Sequence, residues 1–503
     1  MSAMGWSRSN LRSQATMHLH LDGNAPLQQQ IYGQIRHAIL TAVLPPGIRL
    51  PSSRALAVEL AVSRNTVMIA YEQLLAEGYT ETHPGGGTYV SPSMGASPRP
   101  TATMPPANAG VPPRLSGYGA RSRSLAIGAL DRGRGLRYNF HYGAVNAADF
   151  PADIWRRLLL REVRRRVGRP YLYESPQGLP ELRAALSDYL GRARAVRAHP
   201  EQIVIVNGSQ QAIDLTLRVL VDPGEGVVVE NPCYAGARLA IEAFGGHLVA
   251  VPVDHDGLDV TQLPLAEAGT RLAYVTPSHQ FPTGAVMGAA RRLALLDWAA
   301  RSDAYVLEDD YDSEYRYDGR PVASLQATDD AGRVVYCGTV SKLLAPGLRL
   351  GYLVLPPALV EPFLRAKQLA DRNTATLDQA VLAHFMRDGH FERHIRRSRR
   401  RNQQRRDALI TALRSAFSAS VEIGSAEAGL HILVRFSGIP SGLAGSVAEA
   451  AALQSVGLTP AEACPADDPD AVAFLMGFAG LDTAELENGV ALLHGVIASF
   501  RRR

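Results

Sequence analysis

The sequence predicts a multidomain protein: a small N-terminal α+β domain of short helices and one hairpin, then a large α/β domain with a mostly parallel sheet and a small C-terminal α+β subdomain. Three observations predict it. The chain has 503 residues, too many for one core. Residues 91–137 are rich in Pro, Ser, Gly, Ala and Arg and carry no sustained periodicity, so they divide two patterned regions, 22–90 and 138–503. Past that divide, short apolar strands alternate with helical stretches, the pattern of a parallel sheet flanked by helices.

Composition narrows the class. With 46% hydrophobic and 20% charged residues, the chain reads as globular, and its net charge of +4 does not by itself imply nucleic acid or membrane. Cys233, Cys337 and Cys464 lie far apart, without metal spacing or a disulfide framework, so a reducing cytoplasm is expected and no metal. Met1 to Leu21 has no apolar core and does not read as a signal peptide. Without a run of ~20 apolar residues, no membrane span is expected.

In 22–90, Pro26 opens a helix with Leu27, Ile31, Ile35 and Ile39 at spacings of four, stopped by Pro45-Pro46-Gly47. Ser52 or Ser53 caps a short second helix that turns Leu56, Ala57 and Leu60 inward. The turn Ala61-Val62-Ser63 leads to a third helix with the apolar stripe Val67, Ala70, Tyr71, Leu74 and Leu75, ended by Gly78. Two short helices joined so tightly make a helix-turn-helix. Arg64, Asn65, Thr66 and Met68 stand off the stripe, where a helix N-terminus can reach base edges and phosphates. Tyr79–Thr82 and Thr88–Val90 read as a hairpin around His83-Pro84-Gly85-Gly86-Gly87, a wing able to lie on a DNA backbone.

The runs Pro46 to Arg54, Val62 to Val67 and Gly86 to Val90 resemble the GntR family of winged helix-turn-helix regulators. The resemblance implies DNA contacts at Arg49, Ser53, Arg54, Ser63, Arg64, Asn65, Thr66 and, in the wing, Gly86. Plainer alternatives stand beside these: Ser52 and Ser63 as helix caps only, Arg54 and Arg64 as solvated side chains, the glycines as turn formers. Arg36, Arg49, Arg54 and Arg64 oppose Asp22, Glu59, Glu72, Glu77 and Glu81, a net of −1. DNA binding would therefore rest on a few placed arginines and on dimerisation, and would be salt-sensitive. As a flexible coil, the 91–137 stretch would span about 35–40 Å root-mean-square. Its arginines, Arg121–Arg137, are read as belonging to a solvated tether, with DNA contact as the alternative.

Within 138–503 the expected strands are Ile203–Val206, Gly226–Glu230, Leu272–Thr276, Tyr305–Glu308 and Val334–Gly338, with a helix over Ser209–Leu220. Ligands of such sheets sit at strand ends. There the last strand runs into Thr339, Ser341 and Lys342, and Arg349 follows the lysine by seven residues. A desolvated lysine can hold an aldehyde, and hydroxyls with a guanidinium suit a phosphate. Together they describe a seat for pyridoxal 5'-phosphate; the alternative is an ordinary lysine at a sheet edge. Ser209 and Gln210 open a helix whose free N–H groups favour a phosphate. Tyr234, after Asn231-Pro232-Cys233, offers a ring for stacking. The run Glu308 to Tyr317 supplies acids and aromatics, and this cofactor needs an acid at its pyridine nitrogen.

These segments resemble fold-type I pyridoxal-phosphate enzymes, the aspartate aminotransferase superfamily. The whole chain from about 26 to 500 resembles a MocR-type regulator of the GntR superfamily, also on Tyr173 to Gly178, Leu182-Arg183 and Thr276 to Gly284. The resemblance implies Lys342 as the Schiff-base lysine and Asp309 as partner of the pyridine nitrogen. It implies Tyr311 at the phenolate oxygen, Tyr234 stacked on the ring, and Thr339, Arg349, Ser209 and Gln210 at the phosphate. Tyr173 would reach the phosphate of the other subunit in a homodimer. Asp310 and Asp312 are read as helix-start or solvated acids, Tyr315 and Tyr317 as core, and His279 as a cofactor contact or a turn stabiliser.

Two departures bear on activity. Phe281 stands where aminotransferases usually carry Asn before Pro-Thr-Gly. The late strand Ala473–Phe478 has no arginine to clamp a substrate carboxylate; Arg435 is a substitute or an exposed strand-end residue. Eight arginines between Arg393 and Arg406 suggest a solvated helix leading to the C-terminal subdomain, or a second DNA-facing patch. The expected function is a cytoplasmic, DNA-binding transcription regulator sensing a small amine, amino acid or B6 vitamer through Schiff-base exchange at Lys342. The alternatives are an active aminotransferase with a DNA-binding appendage, and a DNA-binding protein whose large domain holds no cofactor.

Overall fold

The computed structural model describes residues 17, 19–22, 25–83, 86–96, 113–126, 133, 135–167, 172–265, 268–318, 322–461 and 468–501. Pro84, Gly85 and Cys464 lie outside them. The chain divides into two compact units, one ending at Pro113 and one starting at Arg114.

The first unit holds helices Leu27–Leu40, Ser53–Glu59 and Arg64–Ala76 and the antiparallel hairpin Thr80–His83 with Gly87–Val90. Ile31, Ile35, Ile39, Leu56, Val67, Ala70, Leu74 and Val90 form its core. Ser52 caps the second helix through Ala55 N–H, and Ser63 caps the third through Thr66 N–H. Leu75, expected inside, is exposed, because it sits one position off the stripe set by Val67, Ala70 and Leu74. The core also takes in Met17, ahead of the boundary read at 22. Gln34 fixes that segment by bonding both the N–H and the carbonyl of His20.

The second unit is built on an eight-stranded sheet. In spatial order the strands are Ile203–Val206, Gly351–Val354, Val334–Thr339, Tyr305–Asp310, Thr270–Val275, Gly226–Asn231, His247–Asp254 and Gly257–Leu258. Pairing is parallel from Val334–Thr339 through His247–Asp254; Gly351–Val354 and the short Gly257–Leu258 are antiparallel to their neighbours. Alternate strand residues (Val204, Val229, Leu272, Leu307, Cys337) pack towards helices Ser209–Leu220, Ala235–Phe244 and Pro357–Asp371. The other residues pack towards Ala289–Arg301 or towards Pro180–Arg194 and Thr376–Arg387. With both faces covered, the strands read as continuous apolar runs.

A second, antiparallel sheet (Val421–Ile423, His431–Ser437, Ala471–Gly477, Thr459–Pro460) forms the C-terminal subdomain with helices Ala444–Leu453 and Thr483–Arg501. Tyr138–Asn139 crosses to pair with Val456–Gly457, and Phe140 is buried in that core. The chain after Phe140 is thereby drawn across the C-terminal ends of the large sheet.

Two stretches differ from the sequence reading. The 91–137 tether contains a helix, Gly117–Ser124, whose Arg121 donates to the carbonyls of Ala243 and Phe244 at 3.1 and 2.7 Å. A side chain thus satisfies the last carbonyls of a neighbouring helix, a bond that composition cannot announce. The arginine-rich helix spans His390–Phe417 and is not solvated all round. Arg405 and Arg406 are buried, paired with Asp149 and Asp318, because one face of the helix packs on both domains of the unit.

Candidate functional site

The sheet delivers its strand ends to one cleft of about 160 Å³, lined by Ser209, Tyr234, Asp309, Tyr311, Thr339, Lys342 and Arg349 among the residues expected from sequence. Val334–Thr339 is buried along its whole length, and the chain turns out of it through Ser341, whose N–H bonds Thr339 Oγ1 at 3.1 Å. That turn projects Lys342 onto the cleft floor. Burial pushes its amine below the usual lysine range; Asp312 and then Asp309 oppose the shift. Gly143 (φ +95°) crosses directly above, where a Cβ would lie 2.6 Å from Lys342 Nζ. Glycine alone takes that φ without strain, and a Cβ there would have to push the Lys342 amine aside.

Asp309 sits almost opposite in chemistry. Tyr274 Oη donates to its Oδ2 at 2.8 Å, while its Oδ1 makes no hydrogen bond. Burial pushes its carboxyl up to about 7, with the Tyr274 bond pulling the other way. A buried carboxylate oxygen without a partner calls for a donor or cation beside it.

At the far end Gly208 (φ +77°) precedes helix Ser209–Leu220 and lies against the Arg349 guanidinium, where a Cβ would meet Nη2 at 2.9 Å. Arg349 Nη2 donates to Asn207 O at 2.9 Å. Helix N–H groups, the Ser209 and Thr339 hydroxyls and one guanidinium therefore share one end of the cleft, an arrangement for an anion.

The remaining candidates are placed differently. The Gln210 side chain is exposed and donates to Gly236 O at 3.2 Å, away from the cleft. Tyr173 is 81% exposed, with the Arg372 guanidinium 5.2 Å above its ring, and does not line the cleft. Tyr311 Oη lies 3.1 Å from His279 O and 3.0 Å from His279 Nδ1, so its single proton is engaged there. Asp310 and Asp312 are not solvated: both are buried. Asp310 pairs with Arg194 at 2.8 Å, and Asp312 with His279 at 2.9 Å. The strand runs to Asp310, further than its apolar letters suggest, and folds the following turn back onto the Thr276–Gly284 turn. Tyr315 is buried as expected; Tyr317 bonds Gly429 O at 2.7 Å.

Sequence reasoning did not single out Tyr142, Gly143, Tyr274, Thr276 and His431 as cleft residues. Tyr274 reads as one more apolar strand residue. His431 stands on a strand of the other subdomain, and its ring stacks on Tyr311 at 6.5 Å. Burial, with His279 and Lys342 nearby, pushes His431 well below the usual histidine range.

Glu230, Glu308 and Asp309 are each pushed up to about 7 by burial. A raised carboxyl pKa favours the fold below the unfolded value, and this contribution fades as pH climbs towards 7. These carboxyls should therefore draw stability down between about pH 5 and 7, against the opposite pull of His431, and Asp309→Asn should remove its share of that loss. Urea midpoints measured across the range check it; an unchanged slope in the variant would refute the assignment to Asp309.

On the N-terminal unit Arg49, Arg54, Ser63, Arg64 and Asn65 are exposed, and Ser53, Thr66 and Gly86 are half-buried. Arg64 Nε reaches Ser53 Oγ at 3.4 Å, linking the two helices of the motif. Arg49 bridges to Tyr89 in the hairpin, and its guanidinium lies against Gly87. Tyr89 in turn bonds Gly86 O at 3.1 Å.

Residues 27–90 match the family described as bacterial regulatory proteins, gntR family, and residues 157–491 match aminotransferase class I and II. The chain is 37% identical over 478 residues, 94% of each chain, to the probable rhizopine catabolism regulatory protein MocR of Rhizobium meliloti. It is 30% identical to the HTH-type pyridoxine biosynthesis transcriptional regulator PdxR of Corynebacterium glutamicum, over 80% of this chain and 82% of that one. The chain superposes on a kynurenine aminotransferase of Pyrococcus horikoshii with a TM-score of 0.67 and 30% identity, covering 75% of this chain and 96% of that one.

Proposed function

The chain belongs to the MocR-type regulators of the GntR family, in which a winged helix-turn-helix is joined to an aminotransferase-like domain, and from that premise we propose that it is a transcription regulator holding pyridoxal 5'-phosphate over Lys342 and sensing a small amine there. Aminotransferases of class I and II bind this cofactor. The observation carrying the reading is the unpaired Asp309 Oδ1, buried across the same cleft as Lys342.

The residues present fit the cofactor. Asp309 would hold its pyridine nitrogen protonated, Tyr234 would cover its ring, and Ser209, Thr339 and Arg349 would take its phosphate. Gln210 would contribute through its backbone N–H rather than its side chain. Tyr311 would serve the phenolate oxygen after giving up its bond to His279. Tyr173, so exposed in one chain, suits contact with a second subunit in a homodimer. When bound, the cofactor supplies an aldehyde carbon that amines compete for. Lys342, its amine held below the usual lysine range by burial, would be the group that holds that carbon and that an incoming amine would displace.

An active aminotransferase is the weaker reading. Arg435, the candidate clamp, pairs with Glu422 at 3.4 Å and faces a different groove, lined by Asp254 and Ser437. No helix among the described residues is long and apolar enough to cross a membrane.

Spectral titration of the cofactor-loaded protein with amines, followed by footprinting with any hit, tests the reading; binding to the operator that ignores every amine would count against it. For the DNA face, Arg49→Ala should weaken binding to all sequences alike and lower the salt slope by about one. Arg64→Ala should cost about 1–3 kcal/mol on the operator and relax its sequence preference. Fluorescence anisotropy at several salt concentrations distinguishes the two.

A further inference from the structure

The cleft's inner wall points to the chemistry of the effector. Asp312 lines the cleft and is 2% exposed. One of its oxygens, Oδ1, is held by His279 Nδ1 at 2.9 Å, while Oδ2 makes no hydrogen bond. Gly429 (φ +80°) lies beside that pair, where a Cβ would come 2.0 Å from His279 Cε1 and 2.8 Å from Asp312 Oδ2, so no side chain there can cover the oxygen. The rings of Tyr142, Phe281 and His431 line the same cleft. His431 Nε2 is likewise buried without a partner, and burial keeps that ring neutral.

The described residues lining the cleft include two cations, Lys342 and Arg349. Arg349 is engaged at the Asn207–Gly208 end, where the phosphate would sit. A carboxylate brought in beside Asp312 would meet a second negative charge in a poorly hydrated space with no guanidinium to offset it, and the nearby Lys342 amine already answers to Asp312 and Asp309. A hydroxyl or amino group would instead supply the donor that Asp312 Oδ2 lacks.

Resting on the cofactor reading above, we infer that the effector is a primary amine carrying further hydroxyl or amino donors and no carboxylate, with Asp312 as the acceptor that selects it. The regulator then discriminates against amino acids by the charge of one buried aspartate.

The test is a titration of the full-length, cofactor-loaded protein with matched probes: serinol against serine, and putrescine against ornithine. Visible absorbance and calorimetry read binding. Each carboxylate-free probe should bind about tenfold more tightly, or better, than its amino-acid partner. Asp312→Asn should narrow that ratio by about tenfold, since the charge that rejects the carboxylate and strengthens the donor bond is gone. Equal or tighter binding of the amino acids to the unmodified protein would overturn the inference, with no variant required. So would an unchanged ratio in a cofactor-loaded Asp312→Asn protein. Failure of the underlying cofactor reading looks different: the protein would take up no visible chromophore before any probe was added, and both would fall together.

Discussion

Lys342→Ala is expected to give a protein that binds its operator with undiminished affinity and responds to no amine. The substitution removes the one lysine among the cleft residues and leaves the Asp309 carboxyl and the anion-suited end intact. Pyridoxal 5'-phosphate should still enter, held by its phosphate and pyridine nitrogen, but dialysis should strip it because nothing binds it covalently. The fold should tolerate the change. Burial already lowers the Lys342 pKa, so its ammonium form is a strain on the native state rather than a support. The melting temperature of the ligand-free variant should therefore match or exceed that of the natural protein. Lys342→Arg is the companion test: it keeps the cation near Asp309 and Asp312 but has no amine able to hold an aldehyde. A visible band that survives dialysis in either variant, or an amine that still alters the footprint, would remove Lys342 from the signalling role.

How much of this was legible in the sequence depends on how local each feature is. Thr339, Ser341, Lys342 and Arg349 lie within eleven residues, at the end of a strand whose burial is written in its apolar letters, so their shared site could be read directly. Helix Arg64–Ala76 is nearly as local: its cap and all of its stripe but Leu75 follow from one 3.6-residue period. The burial of Asp310 and Asp312 is not legible because acids after a strand commonly face solvent; their partners, Arg194 and His279, are 116 and 33 residues away. The burial of Arg405 and Arg406 is hidden in the same way, inside a charge-rich helix. One clue was available for Arg194: Leu182, Leu186, Leu190 and Arg194 continue a single stripe at spacings of four, and an arginine on a buried stripe must have a partner.

That arginine carries the largest expected stability effect. Arg194 closes helix Pro180–Arg194 at 3% exposure and meets three elements at once. Its Nε bonds Asp310 Oδ2 at 2.8 Å, its Nη2 bonds Ser278 Oγ at 2.7 Å, and its Nη1 bonds the carbonyl of Val322. Tyr336 Oη adds a bond to the same Asp310 oxygen at 2.6 Å. Asp310 adjoins Asp309, and Ser278 adjoins His279, so this knot holds the strand end and the turn that shape the cleft. Arg194→Met should destabilise the protein by about 3–5 kcal/mol, because it takes from a buried carboxylate the guanidinium bonded to it. Asp310→Asn should cost a similar amount by stranding the guanidinium. The double variant should cost much less than the two added together, since each replacement removes the charge that the other left unpaired. Denaturant unfolding of the four proteins measures this coupling directly. Additive losses would mean that Arg194 acts through packing alone. Cofactor uptake supplies an independent check: with Asp309 no longer held in register, Arg194→Met should bind pyridoxal 5'-phosphate more weakly even under conditions where the variant is fully folded.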